Sequence, residues 1–316
     1  MPHVTFIHGI ANKPPKEKLL ENWRAELAQG GLDLAANGVT SSMVYWADVM
    51  YPEPVAEGVS FESIDDGLGT KETDEDLAWI EDLPAEEKAF VESFRERLGF
   101  DMDSPGRDDY SPPAPAGNED ELKQLEFEAI PLPWFIKRRI MKALLKDVHH
   151  YLFNAKFSPR PGEQYQVQDH IRKLFVDQLK EDSAKAAGEA HVVVSHSMGT
   201  VISYDCLKNV PDCPAISAYM TVGSPLGLSE VHDNFDPDYH KHDAFPSEKV
   251  GGDWVNVYDR LDPVAFDARI ANDYRKDGHE VVIDQKVKNS GKWRHSSYKY
   301  YGQEALCNHL KLLLKL

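Results

Sequence analysis

Short apolar runs alternate with amphipathic stretches over two parts of the chain, residues 1–50 and 162–316. The runs His3 to His8, Ser42 to Trp46, His191 to Ser195, Ile216 to Val222, Trp254 to Tyr258 and Glu280 to Ile283 have the length and apolar character of strands in a covered sheet. Between them, apolar residues recur at helical spacing. Leu19, Leu20, Trp23 and Leu27 mark one side of a helix from Lys16 to Ala28. Further helices are expected from Gln168 to Ala187, from Met198 to Asn209, and from Gln303 to the C-terminus. Strands alternating with helices predict an α/β fold: a mainly parallel sheet of about six strands, covered on both faces and joined by right-handed crossovers.

The alternation stops between residues 51 and 161. An acidic helical stretch (Asp74 to Leu98) is followed by the breaker-rich "DSPGRDDYSPPAPAGNED" and then by "PLPWFIKRRIMKALLKDVHHYLFN". In the last of these, Ile136, Ile140, Leu144 and Val148 form an apolar row, and Lys137, Arg138, Lys142 and Lys146 lie largely off it. The expectation is an acidic, mainly helical insertion over 51–161, a lid or cap, set into a core made of 1–50 and 162–316. The basic amphipathic helix has two readings. It can pack its row on the core and pair its basic side with the acidic segment. It can also face lipid, making transient membrane-surface contact through residues 134–152.

Charge sharpens this division. The net formal charge is −18. Glu53 to Glu128 holds 24 acidic and 6 basic residues, so this stretch carries all of it and the rest is close to neutral. An acidic chain without a basic face does not suit nucleic acid. Cys206, Cys213 and Cys307 are too few and too odd for a disulfide framework. The start, Met-Pro-His-Val-Thr-Phe-Ile-His-Gly-Ile, has no basic n-region and reads as a first strand, and no apolar run is long enough to span a bilayer. A cytoplasmic protein is expected.

The chemistry gathers where such a sheet concentrates it, at the carboxyl ends of the strands. In "HVVVSHSMGTVISYD", Ser197 stands at a sharp strand-to-helix turn, with small residues, Ser195 and Gly199, two positions to either side. A helix N-cap would also place a serine there. A nucleophile needs partners, and later strand ends supply them. Asp262, in "YDRLDPV", begins a turn beyond its strand with its carboxylate free to meet a histidine; Asp259 is better placed to hold the loop by capping or by pairing with Arg260. His295, in "WRHSSY", follows the last strand across a polar loop, whereas His279 precedes that strand and lies at its wrong end. The order Ser197, Asp262, His295 is that of a Ser–Asp–His triad. An oxyanion needs preorganised donors. The Met198 N–H, first in its helix, supplies one, and the Ile10 N–H, in the "FIHGIAN" loop, a second. His8 is expected to shape that loop rather than to act as base. His232, His240 and His242 among aspartates are read as a polar loop, with no metal expected.

"FIHGI", "VVVSHSMG", "TVGSPLG" (Thr221 to Gly227), "YDRLDPV" and "WRHSSY" together resemble the α/β-hydrolases of the lipase/esterase type, over residues 1–50 and 162–316. The resemblance implies an α/β-hydrolase fold, Ser197 as nucleophile, Asp262 as acid, His295 as base, and Ile10 and Met198 as oxyanion donors. It implies hydrolysis of carboxylic esters, from small-molecule or lipid-like substrates, with no cofactor. The same triad would serve a thioesterase or an acyltransferase, and the fold alone would also serve a non-catalytic binding protein. The chain departs from the family in three respects. Its first strand corresponds to the family's third, the stretch 51–161 intrudes after its second, and Ser195 stands where glycine is usual.

Overall fold

The computed structural model describes residues 1–56, 77–97, 134–231, 240–265, 269–291 and 293–316, with the backbone alone for 134–141. Within these, β1 (His3–Ile7), β2 (Thr40–Val44), β5 (His191–His196), β6 (Ala218–Val222), β7 (Trp254–Tyr258) and β10 (Ile283–Lys286) form one six-stranded sheet in the order β10-β7-β6-β5-β1-β2. Every pairing in it is parallel. Two small antiparallel pairs lie outside it: β3 (Lys156–Phe157) with β4 (Tyr165–Gln166), and β8 (Arg275–Lys276) with β9 (His279–Glu280).

The helices are α1 (Lys16–Gln29), α2 (Ala47–Met50), α3 (Ala85–Arg97), α4 (Trp134–Leu152), α5 (Val167–Ala186), α6 (Met198–Asn209), α7 (Ser297–Tyr301) and α8 (Glu304–Leu314). They cover both faces of the sheet, so the central strands are buried along their whole length. The two-residue period of β5 divides its valines. Val192 and Val194 pack in the core with Trp23 and Leu27 of α1 and Leu306 and Leu310 of α8, while Val193 packs with Val148 of α4, Phe175 of α5 and Ile202 of α6.

Strand order places the candidate residues. From β1 the chain moves outward to β2, and from β5 it moves the other way through β6 and β7 to β10. The direction reverses between the neighbours β1 and β5, and the crevice beyond such a switch is where open α/β sheets bind ligands. The loop after β1 carries Gly9 and Ile10; the turn after β5 carries Ser197.

Two strands lie away from their expected limits. The second runs over Thr40–Val44 rather than Ser42 to Trp46, because Trp46 is drawn out of the ladder by His8: its backbone N–H donates to His8 Nε2 (3.0 Å) and its indole N–H to the His8 carbonyl (2.9 Å). The last occupies Ile283–Lys286 rather than Glu280 to Ile283. Asp277 and Gly278, both at positive φ, reverse the chain so that His279 and Glu280 pair back on Arg275 and Lys276. The apolar residues that suggested an earlier strand, Val281 and Ile283, are over a third exposed at this edge of the sheet.

In the stretch between β2 and β3, the acidic helix expected over Asp74 to Leu98 is found as α3 and a 3-10 turn, Ala78–Ile80; Asp74 and Leu98 lie outside the described residues, as does the breaker-rich segment. The second half of α4 is enclosed. Leu144, Val148, Tyr151 and even Lys142 are buried, and Lys146 Nζ lies 5.0 Å from the Tyr51 ring centre and 5.2 Å from that of Phe157. The side chains of residues 134–141, on the same helix, lie outside the described residues. No helix among the described residues is long and apolar enough to cross a membrane.

Candidate active site

The turn at Ser197 has the backbone of a forced junction. β5 ends at His196, α6 begins at Met198, and Ser197 between them sits at φ 55°, ψ −129°. An N-cap residue takes an extended conformation and turns its side chain back to the helix; Ser197 makes no such cap. A non-glycine residue in this region of φ/ψ stores about 1–3 kcal/mol of strain. Closely approaching backbone holds the turn. A Cβ on Gly199 would fall 2.7 Å from the His8 carbonyl oxygen, and one on Gly9 would fall 2.5 Å from Ser197 Cβ and 2.9 Å from its Oγ.

Three side chains from distant loops meet there. The Ser197 hydroxyl lies 2.7 Å from His295 Nε2, and His295 Nδ1 lies 2.8 Å from each carboxylate oxygen of Asp262. All three are buried. Asp262 Oδ1 also accepts the Val264 N–H (2.8 Å) and Oδ2 the Tyr300 hydroxyl (2.7 Å). Burial would push the Asp262 carboxyl up, but the facing His295 ring, the Tyr300 hydroxyl and the Val264 N–H outweigh it and hold it below the ordinary 3.8. Burial and the charges of Asp262 and Asp259 push the Tyr300 hydroxyl well above 10, so it serves as the donor in its pair.

Neighbouring groups fix this arrangement. Asp259 holds the loop, as its position suggests, and forms an ion pair with Arg294 (3.4 Å). Its carboxylate also accepts the Leu261 N–H (2.9 Å) and the Asn289 N–H (2.6 Å), and the Asn289 amide donates to the Arg294 carbonyl (2.7 Å), one residue before His295. His196 Nε2–H donates to the His295 carbonyl (2.9 Å). At Gly223, φ is +55°, and a Cβ would fall 2.9 Å from Asp262 Oδ2. Tyr300, His196 and Gly223 were not picked out by sequence, because each acts through a contact that only the folded chain creates.

The two N–H groups expected as oxyanion donors lie alongside. Met198, as first residue of α6, has no intrahelical acceptor for its N–H. The Ile10 N–H belongs to the peptide whose carbonyl, that of Gly9, accepts His8 Nδ1–H (2.9 Å). His8 Nε2 in turn accepts the N–H groups of Trp46 and Ala47, which fixes the ring as a neutral loop brace. Neither the Ile10 nor the Met198 N–H meets a protein acceptor among the described residues. Ser195 has its own partners: its hydroxyl lies 3.3 Å from the Met220 carbonyl and 3.4 Å from the Tyr219 hydroxyl, which reaches Ser203 of α6 at 2.6 Å. It belongs to a buried network joining β5, β6 and α6. His279 is in β9, His232 lies outside the described residues, and no group of three or more metal-ligating side chains is assembled among the described residues.

Two expectations follow from this geometry. Gly9→Ala must push the loop off Ser197, displacing the Ile10 N–H. Overpacking of this kind costs about 1–3 kcal/mol. A misplaced donor costs on the order of 100-fold in turnover. Denaturant unfolding and steady-state kinetics read the two effects separately. The second concerns pH. Because the folded-state pKa of Asp262 is depressed, its contribution to stability is complete above the unfolded value near 3.8 and is lost as pH falls through the lower folded value. The stability gap between wild type and Asp262→Asn, measured by unfolding at acid pH, is expected to shrink as pH falls below that value.

A scan against protein-family models finds no match and a search of curated proteins finds no significant relative, so the functional reading of this site rests on its own geometry.

Proposed function

We propose that this chain is a serine hydrolase of the α/β-hydrolase type that cleaves carboxylic esters through an acyl-enzyme. The observation that carries the proposal is the unbroken chain of short contacts from the Ser197 hydroxyl through His295 to Asp262, set on a strained strand-to-helix turn at the switch point of a parallel sheet. A structural serine has no need of a histidine oriented by a buried carboxylate.

The reaction follows from the atoms in place. Ser197 Oγ attacks the ester carbonyl carbon while its proton passes to His295 Nε2. The carbonyl electron pair moves onto oxygen, which is held by the Ile10 and Met198 N–H groups. The pair returns, the bond to the alcohol oxygen breaks, and that oxygen takes the proton from His295. Water then repeats the sequence on the acyl-enzyme and releases the acid. Asp262 keeps His295 in the tautomer with Nδ1–H and stabilises the imidazolium.

The stretch 51–161 is read as a cap rather than a swinging lid, at least along the anchored half of α4. Substrates are expected to be small-molecule or lipid-like esters, and three buried free cysteines suit a reducing, cytoplasmic setting. The test is a panel of p-nitrophenyl esters and a thioester of increasing acyl length, with and without a lipid interface, alongside a fluorophosphonate probe. Labelling at Ser197 with ester turnover is expected. Turnover without label at Ser197, or neither, overturns the reading.

A further inference from the structure

The second oxyanion donor has to come from a loop in an unfavourable conformation. Ala11, next to Ile10, sits at φ +66°, a left-handed conformation that a residue with a Cβ rarely adopts. Its backbone N–H, which is buried, donates to Asp147 Oδ2 at 2.7 Å, across 136 residues of sequence. Asp147 is itself buried on α4 and accepts the Tyr51 hydroxyl at 3.1 and 3.2 Å. Four residues on, Tyr151 donates to Asp205 of α6 at 2.5 Å, and Asp205 is locked by Arg172 through two bonds of 2.7 Å. One basic helix from the stretch between β2 and β3 thus grips the loop that carries Ile10 and the helix that begins with Met198.

We propose that Asp147 is a positioning residue for acyl transfer, holding the Ala11 N–H so that the neighbouring Ile10 N–H is fixed toward the oxyanion. This rests on the serine-hydrolase reading above. The two peptide planes that meet at Ile10 are then held from opposite ends, by His8 on the Gly9 carbonyl and by Asp147 on the Ala11 N–H. Residues 134–152 become a part of the catalytic scaffold, and the insertion would be indispensable for turnover even where it touches no substrate.

The decisive readout compares a carboxylic ester with its thionoester, whose sulfur is larger and accepts hydrogen bonds weakly. A well-placed donor favours the oxygen anion, so losing its placement lowers the ester-to-thionoester ratio of kcat/KM, which general loosening of the fold would not do. Asp147→Ala is expected to lower kcat on the ester by roughly 10- to 100-fold, with KM little changed and the ratio falling with it. Asp147→Asn, which keeps an acceptor for the Ala11 N–H, is expected to restore most of both. If Asp147→Ala does not fold, replacing Ala11 by lactic acid exchanges the N–H for an ester oxygen with the side chain kept, and is expected to give the same fall in kcat and ratio. A folded variant of either kind with wild-type kcat and ratio overturns the proposal while leaving the triad standing. If wild-type protein takes no fluorophosphonate at Ser197 and turns over no ester, the serine-hydrolase reading itself has failed and the role of Asp147 falls with it.

Discussion

Ser197→Ala is expected to slow ester turnover by on the order of 10,000- to 1,000,000-fold without unfolding the protein. The substitution removes only Oγ, which pairs with His295 Nε2. The backbone keeps its place through the Ser197 N–H on the Val222 carbonyl (3.0 Å) and the Thr200 N–H on the Ser197 carbonyl (2.8 Å). What activity is left would come from binding and the oxyanion donors acting on water. Turnover within tenfold of wild type, on protein freed of contaminating esterase, would remove Ser197 from the mechanism. A companion variant separates function from fold. Ser197→Gly relieves a conformation that costs about 1–3 kcal/mol, against about 0.5–1 kcal/mol of added chain entropy in the unfolded state. It is expected to be as inactive as Ser197→Ala and to unfold at a higher temperature. The reverse order would mean that the turn at φ 55° carries little strain.

How far the site could be read from sequence depended on how far each interaction reaches along the chain. Ser197 announces itself locally, because a valine run, a cramped turn and an amphipathic helix fall within fifteen residues. His295 and Asp262 were legible through topology: in a parallel sheet each strand ends at the same edge, so residues just after a strand meet one another. That logic tolerated an error in the last strand, since His295 follows it whether it spans Glu280 to Ile283 or Ile283–Lys286. It could not reach Tyr300, which is one of several tyrosines in "SSYKYY" until the fold turns it onto Asp262. Nor could it reach Asp147, which reads as a stray acid on a basic helix, yet its partner is a backbone N–H that no pattern of side chains advertises. The same helix shows why amphipathicity overstated exposure. Its row of apolar residues was correct at Leu144 and Val148, but Lys142 off that row is buried as well, and Lys146, half-buried, sets its cation beside aromatic rings.

The choice between the two aspartates admits an equally severe test. Asp262→Asn is expected to cost on the order of 10,000-fold in kcat, although the amide has nearly the size of the acid. The reason lies in which atom can turn where. Oδ1 receives the Val264 N–H and more weakly that of Ala265 (3.3 Å), both of which can only donate, so the asparagine carbonyl must stay on that side. Its NH2 group then replaces Oδ2, facing His295 Nδ1 and the Tyr300 hydroxyl. The hydroxyl already accepts the Asp259 N–H at 2.9 Å and can rotate its proton away. His295 Nδ1 lies 2.8 Å from both positions, so with its proton on Nδ1 it would bond the retained carbonyl while meeting an amide hydrogen head-on at equal distance. That donor–donor clash is relieved when Nδ1 loses its proton and accepts from the amide, which moves the ring to the Nε2–H tautomer and points a donor at Ser197. A ring in that form cannot take the serine proton, and the imidazolium has lost its counter-charge. Tyr300→Phe offers the contrast, because it removes one bond to Asp262 and leaves the tautomer alone; a loss in kcat of less than about tenfold is expected, in line with one bond worth about 1 kcal/mol, while the Asp259 N–H that loses its acceptor lowers stability instead. Parallel measurements of kcat and of fluorophosphonate labelling rate decide the matter. Equal, modest losses in the two variants would show that Asp262 merely braces the loop, and would return the question to Asp259, whose carboxyl is pushed up by burial despite its N–H donors and Arg294.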